Sequence, residues 1–209
     1  MKKAILLDVD GTLWDTTGVV AEAWMQAASE LMIPLDTPIT ADRLKQEFGK
    51  PMDEIAANLF PSLSASQRML VMGSCCEYEE YYLENAKEQL LFDGVAETIR
   101  TLSQSHPICI VSNCQKGYIE LFLKKTGLKD VVTDFECFGN TGLSKGENIR
   151  LLMHRCQIKD AVYVGDTQGD ADACAFAKIP FIFAGYGFGS PDHYDYKILR
   201  FSELLDYSF

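Results

Sequence analysis

The chain opens on an apolar run, Ala4–Leu7 ("AILL"), that stops at Asp8-Val9-Asp10-Gly11-Thr12 ("DVDGT"). A short continuous apolar run of this kind predicts a strand buried on both faces, as in a parallel sheet, ending in a turn. From about Thr17 the period changes. In "VVAEAWMQAASELM" the positions Val20, Ala23/Trp24, Ala27/Ala28 and Leu31 recur at helical spacing,. Pro34 and Pro38 then punctuate the chain. "ITADRLKQEFG" predicts a second helix with Thr40 as N-cap and Gly49 as stop, and "PMDEIAANLF" a third with Pro51 in its first turn,. "SASQRMLVMGSCCEYEEYYLENAKEQL" predicts a long helix with Gly73 as a candidate kink. No strand pattern interrupts this stretch.

After "LLFDG" strands and helices alternate. Helices are predicted over "VAETIRTLSQ", "KGYIELFLKKTGL" (closing on Gly127), "KGENIRLLMHRC" and "GDADACAFAKI". Strands are predicted over "PICIVSN", "DAVYVGD" and "PFIFAG", with "VVTDFECFG" a short strand or hairpin and "YKILRFSELL" a last strand and helix. Alternation of this kind implies a parallel sheet with right-handed crossovers. The expected fold is therefore α/β: a Rossmann-like, doubly wound core (1–15 and 92–209) carrying an inserted helical cap (16–91).

Composition narrows the partners. The 209 residues carry a net charge of −11, and 47% are hydrophobic. No cluster of Lys and Arg offers the basic face that a nucleic acid needs, and no apolar run has the length of a membrane span. The basic start "MKKAILLDVDG" is broken by acids before a leader's apolar core can form,. The seven cysteines (75, 76, 109, 114, 137, 156 and 174) are odd in number and contain no CxxC pair. That pattern suits reduced thiols in a cytoplasmic protein better than disulfides or zinc. The three histidines, at 106, 154 and 193, are scattered. Oligomeric state is not readable.

Ligands of open α/β sheets sit beyond the carboxyl ends of the strands. The predicted strands end there in Asp8 and Asp10, in Ser112 and Asn113, and in Asp166 followed by Asp170, while Lys145 opens a helix on the same rim. Crowded acids repel. A divalent cation with an all-oxygen shell, Mg²⁺ by preference, relieves that, with Lys145 assisting. One carboxylate can then attack phosphorus, and a second can give a proton to the leaving oxygen and later take one from water.

"DVDGT", Ser112 in "IVSN", Lys145 in "SKGENI" and "GDTQGD" stand in the order of the four motifs of the haloacid dehalogenase superfamily. With "YGFGS" (186–190), the chain resembles its phosphoglycolate-phosphatase-like branch along essentially its whole length. The resemblance implies Asp8 as nucleophile, passing through an aspartyl phosphate, and Asp10 as general acid/base with its backbone carbonyl on Mg²⁺. It implies Ser112 and Asn113 as phosphate binders, Lys145 as charge neutraliser, Asp8 and Asp166 as metal ligands, and Asp170 as metal ligand or outer support. Lys50, in the Gly/Pro-bounded turn "EFGKPM", is a cap residue placed to reach the substrate, a phosphate ester of a small molecule.

Taken singly these residues are ordinary: Asp before Gly is a turn residue, Asp166 an N-cap, Asp170 a first-turn acid, Lys145 and Lys50 surface lysines. Cys114 reads as a buried structural thiol. Alternatives to a phosphatase are a sugar-phosphate mutase or a non-catalytic binding domain of the same fold. The related mutases carry a histidine ten residues past the acid/base aspartate; Val20 stands there. The cap is expected to hinge near Asp15–Thr17 and Leu91–Asp93.

Overall fold

The computed structural model describes residues 3–207. Six strands form one fully parallel sheet in the order β3-β2-β1-β4-β5-β6: β1 (Ala4–Leu7), β2 (Ile108–Ser112), β3 (Asp134–Cys137), β4 (Ala161–Gly165), β5 (Phe181–Ala184) and β6 (Tyr196–Ile198). The chain builds outward from β1 through β2 to β3, then returns to lay β4 on the other side of β1. Strand order reverses at that point, which opens a crevice at the carboxyl ends of β1 and β4.

Side chains of a strand alternate between faces. Ile5, Leu7, Ile108, Ile110, Val162, Val164 and Ile182 share one buried core with α5 (Val95–Ser103), α6 (Tyr118–Thr126) and the terminal 3₁₀ turn Phe201–Asp206. Ala4, Leu6, Cys109, Val111, Tyr163, Phe181 and Phe183 form a second core, covered by α8 (Lys145–Arg155) and α9 (Gln168–Ala177). Both faces are sealed, so the strands read as unbroken apolar runs.

Between β1 and α5 the chain carries helices only: α1 (Thr17–Glu30), α2 (Ala41–Lys45), α3 (Met52–Leu59) and α4 (Ala65–Asn85). Thr40 caps α2, its hydroxyl accepting from Arg43 N at 3.3 Å. Pro51 stands just before α3, and Ser64 and Gln67 close a reciprocal cap on α4,. The candidate kink at Gly73 lies inside α4, which is one uninterrupted helix. The two legs of this insertion are bonded to each other: Asp15 N donates to Leu90 O at 2.9 Å and Phe92 N to Leu13 O at 3.0 Å.

At the sheet edge, "VVTDFECFG" is a parallel strand rather than a hairpin. A single helical turn, α7 (Phe138–Thr141), follows it at once. Nothing in the residue pattern marks that turn, because four residues are too few to show an apolar period.

Candidate active site

Asp8 follows β1 and Asp166 follows β4, so the crevice between these strands has an acid on each side. Asp170 lies on the first turn of α9. Thr167 caps that helix, accepting from Asp170 N, and Asp170 Oδ2 accepts from the backbone N of Asp166 (3.1 Å) and Thr167 (2.9 Å). This reciprocal cap turns the other carboxylate oxygen toward the crevice. Lys145 arrives as the first residue of α8, held there by the Ser144–Glu147 capping box. Its ammonium donates to Asp8 Oδ1 at 2.9 Å and to Asp170 Oδ1 at 2.5 Å, and all three side chains are buried.

Burying charge raises the proton affinity of these acids. Asp8 is pushed up to about 7, chiefly by burial and further by Asp170, with Lys145 pulling the other way. Asp166 is raised by burial and by the charges of Asp170 and Asp8. Burial works against the Lys145 ammonium, yet Asp170 and Asp8 outweigh it and hold the proton on more firmly than usual. One lysine thus faces three buried acids. Asp8, Asp166 and Asp170 can each aim one carboxylate oxygen into a space where these atoms lie within 4.8 Å of one another. An all-oxygen set with excess negative charge fits a hard divalent cation.

Asp166 is fixed from above. Phe188 N donates to Asp166 Oδ2 at 2.7 Å, and Tyr186 OH donates to Thr12 O at 2.8 Å, so "YGFGS" folds down on the first loop. Gly11 has φ +77°, and a Cβ there would collide with the Asp166 carboxylate. The glycine of "DVDGT" is therefore required both by its backbone and by the closeness of Asp166.

Asp10 has a different environment. Its Oδ1 accepts from Tyr118 OH at 2.6 Å, Trp14 Nε1 at 3.1 Å and Thr16 Oγ1 at 3.2 Å. Burial lifts its pKa to about 6, against the pull of these three donors. A carboxyl group near 6 can both give and take a proton close to neutral pH. Its orienting partners were not apparent in the sequence. Trp14 and Thr16 are near in the chain, but Tyr118 comes from α6, and only packing brings it to Asp10.

Asp8, Asp10, Ser112, Asn113 and Lys50 line one cavity, shared with Trp24, Phe48 and Glu79 from the insertion. Lys50 pairs there with Glu47 at 2.9 Å. Asn113 Nδ2 donates to Gly49 O at 2.8 Å, so the turn bearing Lys50 is bonded to the end of β2. Gly49 has φ +92°,; α2 itself ends earlier, at Lys45 with Gln46 as its C-cap, so the glycine closes the turns that follow the helix and not the helix as expected. Cys114 is buried at the cavity edge. Glu79 is not among the residues to which the strand ends and motifs point. It stands in "CEYEEYY", which looks like a solvated face, yet four-residue steps from Cys75 to Glu79 to Leu83 put it on the buried stripe of α4,. That spacing was the available signal.

Among curated relatives, the chain is 26% identical to a phosphoglycolate phosphatase of Photobacterium profundum, over 98% of this chain and 94% of the relative. It is 25% identical to the pyrophosphatase PpaX of Listeria welshimeri, over 96% and 94%. Among solved structures, a haloacid dehalogenase-like family hydrolase from Streptococcus pneumoniae superposes with a TM-score of 0.83 at 22% identity, covering 99% of this chain and 98% of that one. Residues 5–184 match the family described as haloacid dehalogenase-like hydrolase, and with the four motifs gathered around one crevice the chain belongs to that family.

Proposed function

We propose that this protein is a phosphatase that hydrolyses small phosphate monoesters through a phosphorylated Asp8, in the manner of the phosphoglycolate phosphatases it is similar to. The observation that carries the reading is the ion-pair relay at the switch point: Lys145 bonded to both Asp8 and Asp170, with Asp166 facing them. A non-catalytic domain has no use for so costly a cluster. Among the described residues no helix is long and apolar enough to cross a membrane.

In this reading Asp8 Oδ1 is held by Lys145, and Oδ2 attacks the phosphorus. The bond from phosphorus to the ester oxygen breaks, and that oxygen takes the proton held on Asp10. Water then attacks the phosphorus of the phosphorylated Asp8. Asp10 accepts its proton, the bond to Asp8 breaks, and phosphate leaves. Ser112 and the Asn113 backbone bind the phosphoryl oxygens, and Lys145 offsets the charge that gathers between them and Asp8. Asp8, Asp166 and the Asp10 backbone carbonyl would hold Mg²⁺, with Asp170 in support; the ion supplies charge neutralisation at the phosphoryl group. Asp170's oxygens are engaged by Lys145 and by the Asp166–Thr167 backbone, which favours the supporting role.

Residues 16–91 act as a cap. The hinge lies near Asp15–Thr17 and Leu91–Asp93, beside the paired legs at Leu13–Asp15 and Leu90–Phe92, and closure excludes bulk water while Lys50 meets the substrate,. Hydrolysis rather than transfer is supported by Val20, buried in α1 where the related mutases place a histidine. The test is phosphate release from an aryl phosphate with and without Mg²⁺, by wild type and by Asp8→Asn. Loss of the nucleophile is expected to lower turnover by roughly four orders of magnitude or more. An Asp8→Asn protein of near wild-type rate would sink the mechanism.

A further inference from the structure

Facing the catalytic floor across the cavity is Glu79, only 3% exposed. Its Oε2 accepts from Trp24 Nε1 at 2.8 Å and its Oε1 from Gln115 Nε2 at 2.9 Å. Both donors are neutral, and no cation pairs with it among the described residues. The cation that the insertion does bring to this cavity, Lys50, is already bound to Glu47. A second acceptor lies nearby. The Asn113 amide gives its Nδ2 to Gly49 O, which fixes the orientation of the group, and its Oδ1 is buried with no hydrogen-bond partner among the described residues,. Beside Ser112, the end of β2 thus holds an orphaned carbonyl oxygen, and the cap side of the cavity offers a carboxylate. Its other contributions are apolar or aromatic: Trp24, Phe48, Met52 and Ile55.

An unsatisfied buried acceptor is costly, and a carboxylate with spare lone pairs repels a second anion. A ligand that fills this space must therefore bring donors. We propose that Glu79 selects phosphate monoesters whose leaving group carries hydroxyl or ammonium donors and rejects leaving groups carrying a carboxylate or a further phosphate. The proposal rests on the phosphatase reading above. It departs from the compounds named for the relatives, phosphoglycolate and pyrophosphate, whose leaving groups are anionic. Glu79 is in this view a specificity residue that touches the leaving group and takes no part in the transfer of phosphorus.

The experiment compares kcat/KM for four esters: phenyl phosphate, glycerol 3-phosphate, O-phosphoethanolamine and phosphoglycolate, with wild type and Glu79→Gln. Glutamine keeps the shape, and a flip of the Gln115 amide restores both hydrogen bonds. Wild type is expected to favour the better of the two donor-bearing esters over phosphoglycolate by about tenfold or more. In Glu79→Gln that ratio is expected to fall by about tenfold, with phosphoglycolate turnover rising in absolute terms. The ratio is internal to each enzyme, so partial loss of fold does not move it, and the wild-type ratio is decisive even where the variant fails to fold. A wild-type preference for phosphoglycolate, or a ratio unchanged in the variant, overturns the inference alone. Absence of Mg²⁺-dependent release from all four esters, phenyl phosphate included, would overturn the phosphatase reading and this inference with it.

Discussion

Two buried carboxylate sites face one cavity, and they handle the same electrostatic problem in opposite ways. On the floor, Asp8 and Asp170 share one lysine at 2.9 and 2.5 Å, and Asp166 joins them in a space suited to a cation. On the opposite side Glu79 has, among the described residues, only an indole and an amide as hydrogen-bond partners. On the floor Lys145 pulls the Asp8 carboxyl back toward ionisation, although burial and Asp170 still leave it raised to about 7. The carboxyl of Glu79, pushed up by burial to about 7, sits at the edge of ionisation. In the proposed reading, counter-charge marks where a reacting anion and a metal would be received, and its lack marks the surface that would meet the rest of the ligand.

The largest effect should follow removal of the shared cation. Lys145→Met leaves Asp8 and Asp170 buried and unpaired, and breaking a buried ion pair costs about 3–5 kcal/mol. Denaturant unfolding should show that loss together with abolished phosphate release. Unchanged stability would mean the floor does not depend on Lys145.

Next comes Glu79, whose pKa in the fold lies above the ordinary 4.5. The folded state then binds this proton more tightly than the unfolded chain. The corresponding stability is fully present below the unfolded pKa and is lost as pH rises through about 7,. Glu79→Gln has no such titration. Its unfolding free energy relative to wild type should improve by about 3 kcal/mol between about pH 4 and about pH 8. A difference that stays flat with pH would show that the ionised Glu79 is not a burden.

A smaller change is expected at Asp10. The phenol of Tyr118 donates to its carboxylate at 2.6 Å and favours the ionised form,. Tyr118→Phe should raise the Asp10 pKa, so the basic limb of kcat/KM, which reports loss of its proton, moves up by about one pH unit. A limb that stays in place would assign that titration to another group. Smallest of all is Lys50→Ala: its ammonium is tied to Glu47, so KM should rise only about two- to fivefold, with Mg²⁺ dependence unchanged. Identical kinetics on every ester would remove Lys50 from the site.

The floor was legible in the sequence because its residues stand at punctuation marks. Asp8, Ser112 and Asp166 each come where an apolar strand ends, and Lys145 follows a capping serine; such positions are set locally. Helical character between β1 and α5 was equally visible, since period alone carried it. The opposite wall is not legible in this way. Glu79 sits in mid-helix, and its burial depends on α1 laying Trp24 against α4. Tyr118 reaches Asp10 from more than a hundred residues away. The one-turn α7 is too short to show a period. Contacts made by packing between distant segments leave only weak traces in a single sequence, and the buried stripe through Cys75, Glu79 and Leu83 is one of them.

The bonded legs of the insertion carry a consequence for how such a chain can be rebuilt. Because Leu13–Asp15 and Leu90–Phe92 run side by side, α1–α4 leave and rejoin the sheet through a single doorway. Closing a loop whose ends are already clasped adds little entropy as the loop lengthens. The core therefore places almost no demand on how many residues pass through that doorway or what they form, provided the clasp survives. One catalytic floor can in this way be fitted with different roofs, each bringing its own choice of ligand, by exchange of a contiguous stretch of gene.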